Sequence, residues 1–405
     1  MNRADRITDV RAYVIDQPPR TAGESGDDEP EAVRHWRRGK VAHPLSRYPE
    51  FRDNRPAALG PSADQTVVVE VESASGAVGI GTTNGGVACA AVVESHLAHL
   101  VEGEEPTAHE RIWDRMFHST LLYGRKGLVL HALSAVDLAV WDLHGRLTQL
   151  PVYALLGGPV REQVEVYATG PRPDIAEQLG FWGAKLPLTW AASEGEDGLA
   201  NNLAAAAKAR SSVGEDFPLL LDCWMSLDVD YAARLADALD GLGFRWLEEP
   251  LPPDEYDAHR RLRARLPGRM ALATGEHEYT AAGFALLCDT GVDVIQPDPG
   301  WCGGLTELRR IAAVARTRGT RLIPHVGGHY SYHFAMAYPE VSLAEFPMLT
   351  GACDRVTPQH RGFLGETAPV DGHVRLDDSP GFGLTLDPAT RRRRPIEHEP
   401  AGARS

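Results

Sequence analysis

From residue 164 onward, short apolar runs alternate with longer segments that repeat apolar residues at helical spacing. The runs are short and rich in Val, Ile and Leu, as buried parallel strands are. Eight alternating β/α units of this kind predict an α/β fold built on a parallel barrel. The eight predicted strands are 164–169, 184–187, 219–222, 245–248, 270–276, 292–297, 321–325 and 341–345.

The first third of the chain has a different pattern. Strands are predicted at 7–16 and 66–72, and helices at 90–101, 108–119 and 127–147. The segment 17–61 is charged, rich in Pro and Gly, and without apolar periodicity, which is typical of a lid or binding loop. We therefore predict an α+β capping domain over residues 1–125, a barrel over 126–364, and a tail over 365–405 that returns to the first domain.

Composition narrows the class of protein. A chain of 405 residues fits a barrel of about 250 residues with a second domain. The net charge of −15 argues against nucleic acid or an anionic membrane as a partner. We expect no signal peptide and no membrane span, because charged residues interrupt every long apolar run. Five scattered cysteines without CxxC spacing indicate reduced thiols in a cytoplasmic enzyme.

Candidate chemistry lies where the predicted strands end. The third to the seventh strand each finish at an ionisable residue, at intervals of 26, 28, 22 and 27 positions. One β/α unit takes about 30 residues, and a barrel gathers the carboxyl ends of its strands at one face. We therefore expect a single active site formed by Asp222, Glu248, Glu276, Asp298 and His325.

The first three of these residues predict a metal site. Carboxylates about 4 Å apart repel one another by roughly 1–4 kcal/mol per pair, and no Lys or Arg adjoins them in the sequence. Oxygen ligands with open positions suit Mg²⁺. Any single one could be a solvated carboxylate at the rim of the barrel, but Asp222, Glu248 and Glu276 occupy equivalent positions and so favour a Mg²⁺ site.

His325 and Asp298 predict a general base. A carboxylate that accepts a hydrogen bond from one imidazole nitrogen fixes the tautomer and raises the basicity of the other nitrogen, as proton abstraction requires. A single histidine at a strand end is more often a packed core residue. The position of His325 one unit after Asp298 and two after Glu276 favours the catalytic interpretation.

Roles can also be assigned to several residues near these positions in the sequence. Glu249 should face away from the barrel interior by strand alternation and pair within the helix layer. His277 has the same parity, but a residue at a strand end can turn towards a substrate. Asp137 and Asp142, in the helix predicted at 127–147, are assigned structural roles. In the loop expected after the seventh strand, at least one of four side chains should contact substrate: His329, Tyr330, Tyr332 and His333.

Longer motifs carry a resemblance to a known family. Residues 134–145 (SAVDLAVWDLHG) and 150–158 (LPVYALLGG) resemble the enolase superfamily, and the acidic strand ends with Asp298 and His325 resemble its mandelate-racemase subgroup. The similarity runs from residue 10 to residue 383. Motifs that resemble its L-rhamnonate dehydratase group are 167–174 (YATGPRPD), 221–226 (LDCWMS), 249–253 (EPLPP) and 296–306 (QPDPGWCGGLT).

The resemblance implies a modified TIM barrel, (β/α)7β, with an α+β capping domain. It implies that Glu345, at the end of the eighth strand, stabilises an enolate and that Arg55 holds the substrate. The family places a substrate-binding histidine shortly before this chain's residues 35–36, where Glu29 stands here, and His35 is the candidate replacement. It also implies a homo-oligomer, with an octamer as one possible assembly.

One difference between this chain and the motifs of the subgroup bears on which reaction is predicted. Racemases and cycloisomerases of the subgroup carry Lys-x-Lys at the end of the second strand, with the second lysine as base, whereas this chain has Lys185-Leu186-Pro187. Proline has no acid–base function, so two-base racemisation is disfavoured. Lys185 is left to add positive charge near the substrate carboxylate.

The resemblance and the residues together predict a hydro-lyase that dehydrates a sugar acid, L-rhamnonate, to its 2-keto-3-deoxy product. His325 would remove the C2 proton and then donate it to the departing 3-hydroxyl. Two alternatives remain open: a dehydratase of another sugar acid, such as L-mannonate, L-lyxonate or D-gulonate, and a non-catalytic relative. Intact residues at all five strand ends argue against the second.

Overall fold

An antiparallel sheet joins both ends of the described chain. The structure, a computed structural model, describes residues 5–15, 36, 39–53, 65–360 and 362–395. Strands β1 (Ile7–Ile15), β2 (Thr66–Ser73) and β3 (Val78–Asn84) pair in that order, and a short strand near the C-terminus (Arg392–Arg393) pairs with the free edge of β1. In β1 the buried residues Val10, Ala12 and Val14 alternate with partly exposed ones, whereas three consecutive residues of β2, 67–69, are buried.

Helices cover the buried face of this sheet. Helix α1 (Gly86–Val92) continues through a π-helical turn (Val93–Leu97) into α2 (Ala98–Val101), and α3 (His109–Thr120) follows. Helix α4 (Leu128–Thr148) is the longest helix in the described chain and is buried along almost its whole length. These are the three helical segments predicted from periodicity.

Two glycines in β3 allow α4 to pack against the strand backbone. A Cβ atom on Gly81 would lie 2.0 Å from the carbonyl oxygen of Ala135, and one on Gly79 would lie 2.2 Å from that of Ala139. Both obstacles are backbone atoms of α4, which a side-chain movement cannot relieve. Any larger residue at either position would force the helix off the sheet.

The central part of the chain forms the eight predicted parallel strands. The eight strands are β4 (Val164–Thr169), β5 (Ala184–Pro187), β6 (Leu219–Asp222), β7 (Phe244–Glu248), β8 (Ala271–Thr274), β9 (Val294–Ile295), β10 (Arg321–Leu322) and β11 (Leu343–Pro347). They pair in the order β10-β9-β8-β7-β6-β5-β4-β11, so the last strand adjoins the first. This is a TIM-barrel-like sheet, and the fold class inferred from the sequence is confirmed.

Helices connect the strands and pack outside them. They are α5 (Val152–Leu155), α6 (Pro173–Gln178), α7 (Gly195–Ser211), α8 (Val229–Gly241), α9 (Tyr256–Arg263), α10 (Thr280–Cys288), α11 (Gly304–Arg318) and α12 (His329–Ala337). Four short strands complete the described chain: β12 (Phe363–Leu364), β13 (His373–Val374), β14 (Thr385–Leu386) and β15 (Arg392–Arg393), the strand already seen on β1. No helix in the described ranges is long and apolar enough to cross a membrane.

Helix α12 corrects the loop predicted after the seventh strand. Every residue of this helix is buried, although its polar residues conceal the periodicity. The backbone N–H of Thr367 donates to Nε2 of His329 (2.7 Å), whose Nδ1 donates to the Phe382 carbonyl (2.8 Å). Nδ1 of His333 accepts from the N–H of Tyr153 (3.1 Å). Both histidines therefore satisfy buried backbone groups.

Two buried aspartates fix α4 to its surroundings, as expected of structural residues. Asp137 accepts hydrogen bonds from the backbone N–H (2.9 Å) and the hydroxyl (2.6 Å) of Thr306 in α11. Asp142 accepts from the backbone N–H groups of Ile80 and Phe382, both at 2.8 Å. One helix thereby connects the first sheet, the barrel and the C-terminal segment.

The close approach of α4 to β3 gives a stability prediction. Gly81→Ala should lower the free energy of unfolding by about 2 kcal/mol or more, because its Cβ meets backbone that cannot yield cheaply. Gly241→Ala is the matched control, since nothing lies within 4 Å of a Cβ there. Chemical denaturation of both variants measures the difference, and equal stabilities would contradict the packing argument.

Candidate active site

The three carboxylates predicted as metal ligands lie together at the carboxyl end of the barrel. Asp222 ends β6, Glu248 ends β7, and Glu276 follows β8 after the left-handed Gly275 (φ 120°). One oxygen from each lies within 4.8 Å of the others. Glu248 and Glu276 are buried, and Asp222 is partly exposed. All the ligand atoms are oxygens, the donor set that hard cations such as Mg²⁺ prefer.

The charge of this cluster is too concentrated to be stable alone. Burial raises the pKa values of Asp222 and Glu248, and the neighbouring carboxylates raise them further. Lys185 opposes this shift, yet both pKa values remain above the ordinary range. A divalent cation would remove the remaining repulsion, so the residues present fit Mg²⁺.

Lys185, which the sequence analysis expected to add positive charge near the substrate, lies among the carboxylates. It projects from β5 into the barrel, is 1% exposed, and pairs with Glu248 and with Glu345 (2.9 Å). Asp222 lies at 3.9 Å. Burial lowers the pKa of Lys185, but the Glu248 and Glu345 carboxylates outweigh it and raise that pKa well above its ordinary value. The predicted contact of Lys185 with substrate stays a prediction.

The structure brings His325 and Asp298 together beside the carboxylate cluster. Nδ1 of His325 donates to Oδ2 of Asp298 (2.8 Å), and Oδ1 of Asp298 accepts from the N–H of Gly300 (2.7 Å). Nε2 of His325 lies 3.2 Å from Oε2 of Glu276. Burial lowers the pKa of His325, but the charge of Glu276 and the hydrogen bond to Asp298 raise it overall.

Glu345, from β11, lies on the other side of Lys185. Its Oε1 accepts from the hydroxyl of Thr169 (2.5 Å), and its Oε2 accepts from the hydroxyl of Tyr167 (3.2 Å) and from the N–H of Val326 (3.3 Å). Burial raises its pKa, but Lys185 and His325 outweigh burial and lower it. Glu345 is thus held ionised by contacts from two other strands, β4 and β5, and from the loop after β10.

Glu249 does not pair within the helix layer, so that expectation was wrong. Its backbone is left-handed (φ 42°), which breaks strand alternation directly after Glu248. The fully buried side chain accepts from the N–H of Gly275 (2.8 Å) and the hydroxyl of Thr274 (2.7 Å). Its second oxygen lies 3.2 Å from Nδ1 of His277.

Trp301 was not predicted as a site residue. Its ring centroid lies 5.1 Å from that of His325 and 5.6 Å from that of His277, and His131 stacks on it at 5.3 Å. The sequence signal available was its position three residues after Asp298, in a loop rich in Pro and Gly. Trp301 forms an apolar wall shared by both histidines.

Part of the long N-terminal segment packs against the loops that follow two barrel strands. The N–H of Ala42 donates to the Leu188 carbonyl (2.8 Å), Lys40 pairs with Glu194 (2.6 Å), and the ring of His43 meets Trp224 edge-on at 6.2 Å. These contacts place residues 40–43 beside the ends of β5 and β6.

The two remaining site predictions, His35 and Arg55, lie outside the described residues, as does Glu29. Their contacts with substrate therefore stay predictions.

Known sequence families match both parts of the chain. Residues 52–157 match the family described as "Mandelate racemase / muconate lactonizing enzyme, N-terminal domain", and residues 174–390 match "Enolase C-terminal domain-like". The second match alone covers more than half of the chain.

Individual relatives are similar over nearly the whole length. An L-rhamnonate dehydratase of Saccharopolyspora erythraea is 47% identical over 396 residues, which is 97% of this chain and 100% of that protein. The crystal structure of L-rhamnonate dehydratase from Gibberella zeae superposes with a TM-score of 0.88 at 34% identity and covers 96% of this chain and 95% of its own. A crystal structure of that organism's rhamnonate dehydratase complexed with Mg gives a TM-score of 0.89 at 35% identity, with 96% of each chain covered.

Two family matches that together span residues 52–157 and 174–390, and a relative 47% identical over 97% of the chain, agree with the barrel fold and its acidic strand ends. The chain therefore belongs to the enolase superfamily, in its mandelate racemase and muconate lactonizing enzyme branch.

Proposed function

We propose that this protein is a Mg²⁺-dependent dehydratase that converts L-rhamnonate to 2-keto-3-deoxy-L-rhamnonate and water. The observation that carries the proposal is the contact between the histidine pair and the carboxylate triad: Nε2 of His325 lies 3.2 Å from Glu276. The proposed general base therefore lies beside the proposed Mg²⁺ site, and the Mg²⁺ ion would bind the carboxylate of the sugar acid. The 47% identity to an L-rhamnonate dehydratase supports the choice of substrate.

Asp222, Glu248 and Glu276 would hold the Mg²⁺. When bound, the cation supplies positive charge that polarises the substrate carboxylate and so acidifies the proton on C2. The chain contributes the geometry, since three strand ends keep the ligands close before any ion arrives. The rhamnonate dehydratase crystallised with Mg supports this assignment.

His325 would carry out both proton transfers. Its Nε2 takes the C2 proton while Asp298, on Nδ1, stabilises the imidazolium that forms. The protonated ring then donates the same proton to the departing 3-hydroxyl, which leaves as water. The resulting enol becomes the 2-keto acid by moving its hydroxyl proton to C3, so atoms balance.

The remaining polar residues would bind or stabilise the substrate. Glu345 would stabilise the charge that develops on the carboxylate as the proton leaves, and Lys185, beside it, would offset the substrate's own negative charge. His277 would contact a sugar hydroxyl. Arg55 and His35 would bind the distal part of the sugar acid from the N-terminal segment.

The organisation of the protein forms part of the proposal. Residues 1–125, with the tail at 365–405, would be the capping domain, and 126–364 the catalytic barrel. Pairing of Arg392–Arg393 with β1 supports the return of the tail. The five free, buried cysteines support a cytoplasmic location, and the proposed sugar-acid substrate supports a role in carbohydrate catabolism. We also propose a homo-oligomer, without nucleic acid or membrane as partner.

Replacement of the base should separate binding from turnover. His325→Asn should keep Mg²⁺ affinity, because His325 is not one of the three ligands, and should lower kcat by about 10²–10⁴-fold or more. Calorimetry measures Mg²⁺ binding and a keto-acid assay measures kcat. His118→Asn, on an exposed helix face, is the control. A near-normal rate in His325→Asn would remove His325 from the mechanism.

Metal removal should abolish the reaction reversibly. Chelation with EDTA should eliminate keto-acid formation, because the C2 proton is not acidic enough without a cation beside the carboxylate. Added Mg²⁺ should restore the rate. Full turnover after exhaustive chelation would show that the triad has no catalytic role.

A substrate panel in D2O tests the reaction class. The enzyme should form keto acid fastest from L-rhamnonate, compared with L-mannonate, L-lyxonate and D-gulonate. A racemase would instead exchange the C2 proton for deuterium without forming keto acid, which Pro187 disfavours because no second base stands at that position. Mass spectrometry of recovered substrate and product distinguishes these outcomes, and complete inactivity would favour a non-catalytic relative.

A further inference from the structure

Glu249 makes contacts that the proposed reaction leaves unexplained. It is fully buried, and its left-handed backbone turns the side chain towards the loop after β8. Its Oε1 already accepts two hydrogen bonds, from Thr274 and Gly275, which fix the carboxylate in place. Its Oε2 is then aimed at His277 Nδ1, 3.2 Å away.

His277 has one nitrogen occupied and one available. Nδ1 faces Glu249 and, at 3.3 Å, Oε1 of Glu276. In the part of the chain that the structure describes, no side chain or backbone group pairs with Nε2, and the side chain remains 24% exposed in an otherwise buried site. Because Glu276 is a proposed metal ligand, Glu249 is the acceptor that remains for Nδ1 in the loaded enzyme.

The hydrogen-bond arrangement of His277 repeats that of His325, the proposed general base. His277 and His325 each direct Nδ1 to a carboxylate, of Glu249 and Asp298 respectively, and each ring lies against Trp301. A carboxylate on Nδ1 fixes which nitrogen carries the proton and how the ring is oriented. The same logic that orients His325 therefore applies to His277.

We propose that Glu249 is a positioning residue: its Oε2 accepts the Nδ1 proton of His277 and so presents Nε2, as a hydrogen-bond acceptor, to a hydroxyl of the sugar acid. This inference rests on the proposed function for the identity of the substrate. The tautomer that it assigns to His277 does not depend on the proposed function. In this proposal Glu249 acts on the substrate only through His277.

Glu249→Gln is the discriminating variant. The amide oxygen can still accept from Thr274 and Gly275, so the turn is preserved, but an N–H₂ group now faces His277 and forces Nδ1 to become the acceptor. We expect kcat/KM for L-rhamnonate to fall about 10–100-fold, with unchanged Mg²⁺ affinity and thermal stability. Tyr256→Phe, which removes a hydrogen bond to buried Glu278 near the same loop, should keep kcat/KM near wild type.

A double-mutant cycle tests whether Glu249 acts through His277. In a His277→Asn background, Glu249→Gln should cause no further loss of kcat/KM, because the group it positions is gone. Losses that multiply would show that Glu249 acts on something else, and wild-type activity of Glu249→Gln would show that it positions nothing. Either result overturns the proposal.

The tautomer can be read without any substrate. In long-range 1H–15N spectra of the Mg²⁺-loaded, 15N-histidine-labelled chain, at a pH where the ring is neutral, His277 should carry its proton on Nδ1. Glu249→Gln should move it to Nε2, and His277→Asn assigns the signals. An unchanged tautomer overturns the proposal, whereas failure of the wild-type enzyme to dehydrate any sugar acid rejects the proposed function alone.

Discussion

The concentration of negative charge at one end of the barrel is the constraint on which the rest of the structure depends. Five buried or nearly buried carboxylates meet there, and in the described chain their positive contacts are one lysine and two histidines. An unpaired buried charge costs several kcal/mol, so each carboxylate requires a partner held in place. The five are Asp222, Glu248, Glu276, Asp298 and Glu345.

The barrel meets this requirement by placing the charges on alternate residues of rigid strands. Lys185, Glu248 and Glu345 project inwards from β5, β7 and β11, and Lys185 pairs with both acids. A buried cluster of side chains lies inside the barrel, with one residue from each of six strands and one that directly follows β10: Tyr167, Leu220, Trp246, Ala273, Val294, Leu343 and Ile323. Burial against this cluster lowers the local dielectric constant and so strengthens the electrostatic contacts of the charged residues, which explains why their pKa values depart from ordinary ones.

Sequence patterns predicted the elements well where periodicity was clear. All eight barrel strands and the helices before the barrel lie where apolar spacing placed them, because alternation and helical repeat reflect which face is buried. Helix α12 was missed, since His329 and His333 read as loop residues. Their ring nitrogens bond backbone groups of distant segments, at Phe382 and Tyr153, and local sequence carries no trace of such partners.

The same distinction holds at the active site. The sequence by itself determined which strand ends carry Asp222, Glu248, Glu276, Asp298 and His325, because the β/α period brings equivalent positions to one face. The sequence also predicted that His325 pairs with Asp298, but only the tertiary structure decided the partners of Lys185 and Glu249. Lys185 reaches Glu248 and Glu345 from β5, which is separated from the strand of each acid by one other strand. The left-handed backbone of Glu249 turns its side chain from the helix layer to His277. Spacing along the chain determines at which end of the barrel a side chain lies. The group that it contacts depends on backbone dihedrals and on packing between strands far apart in sequence.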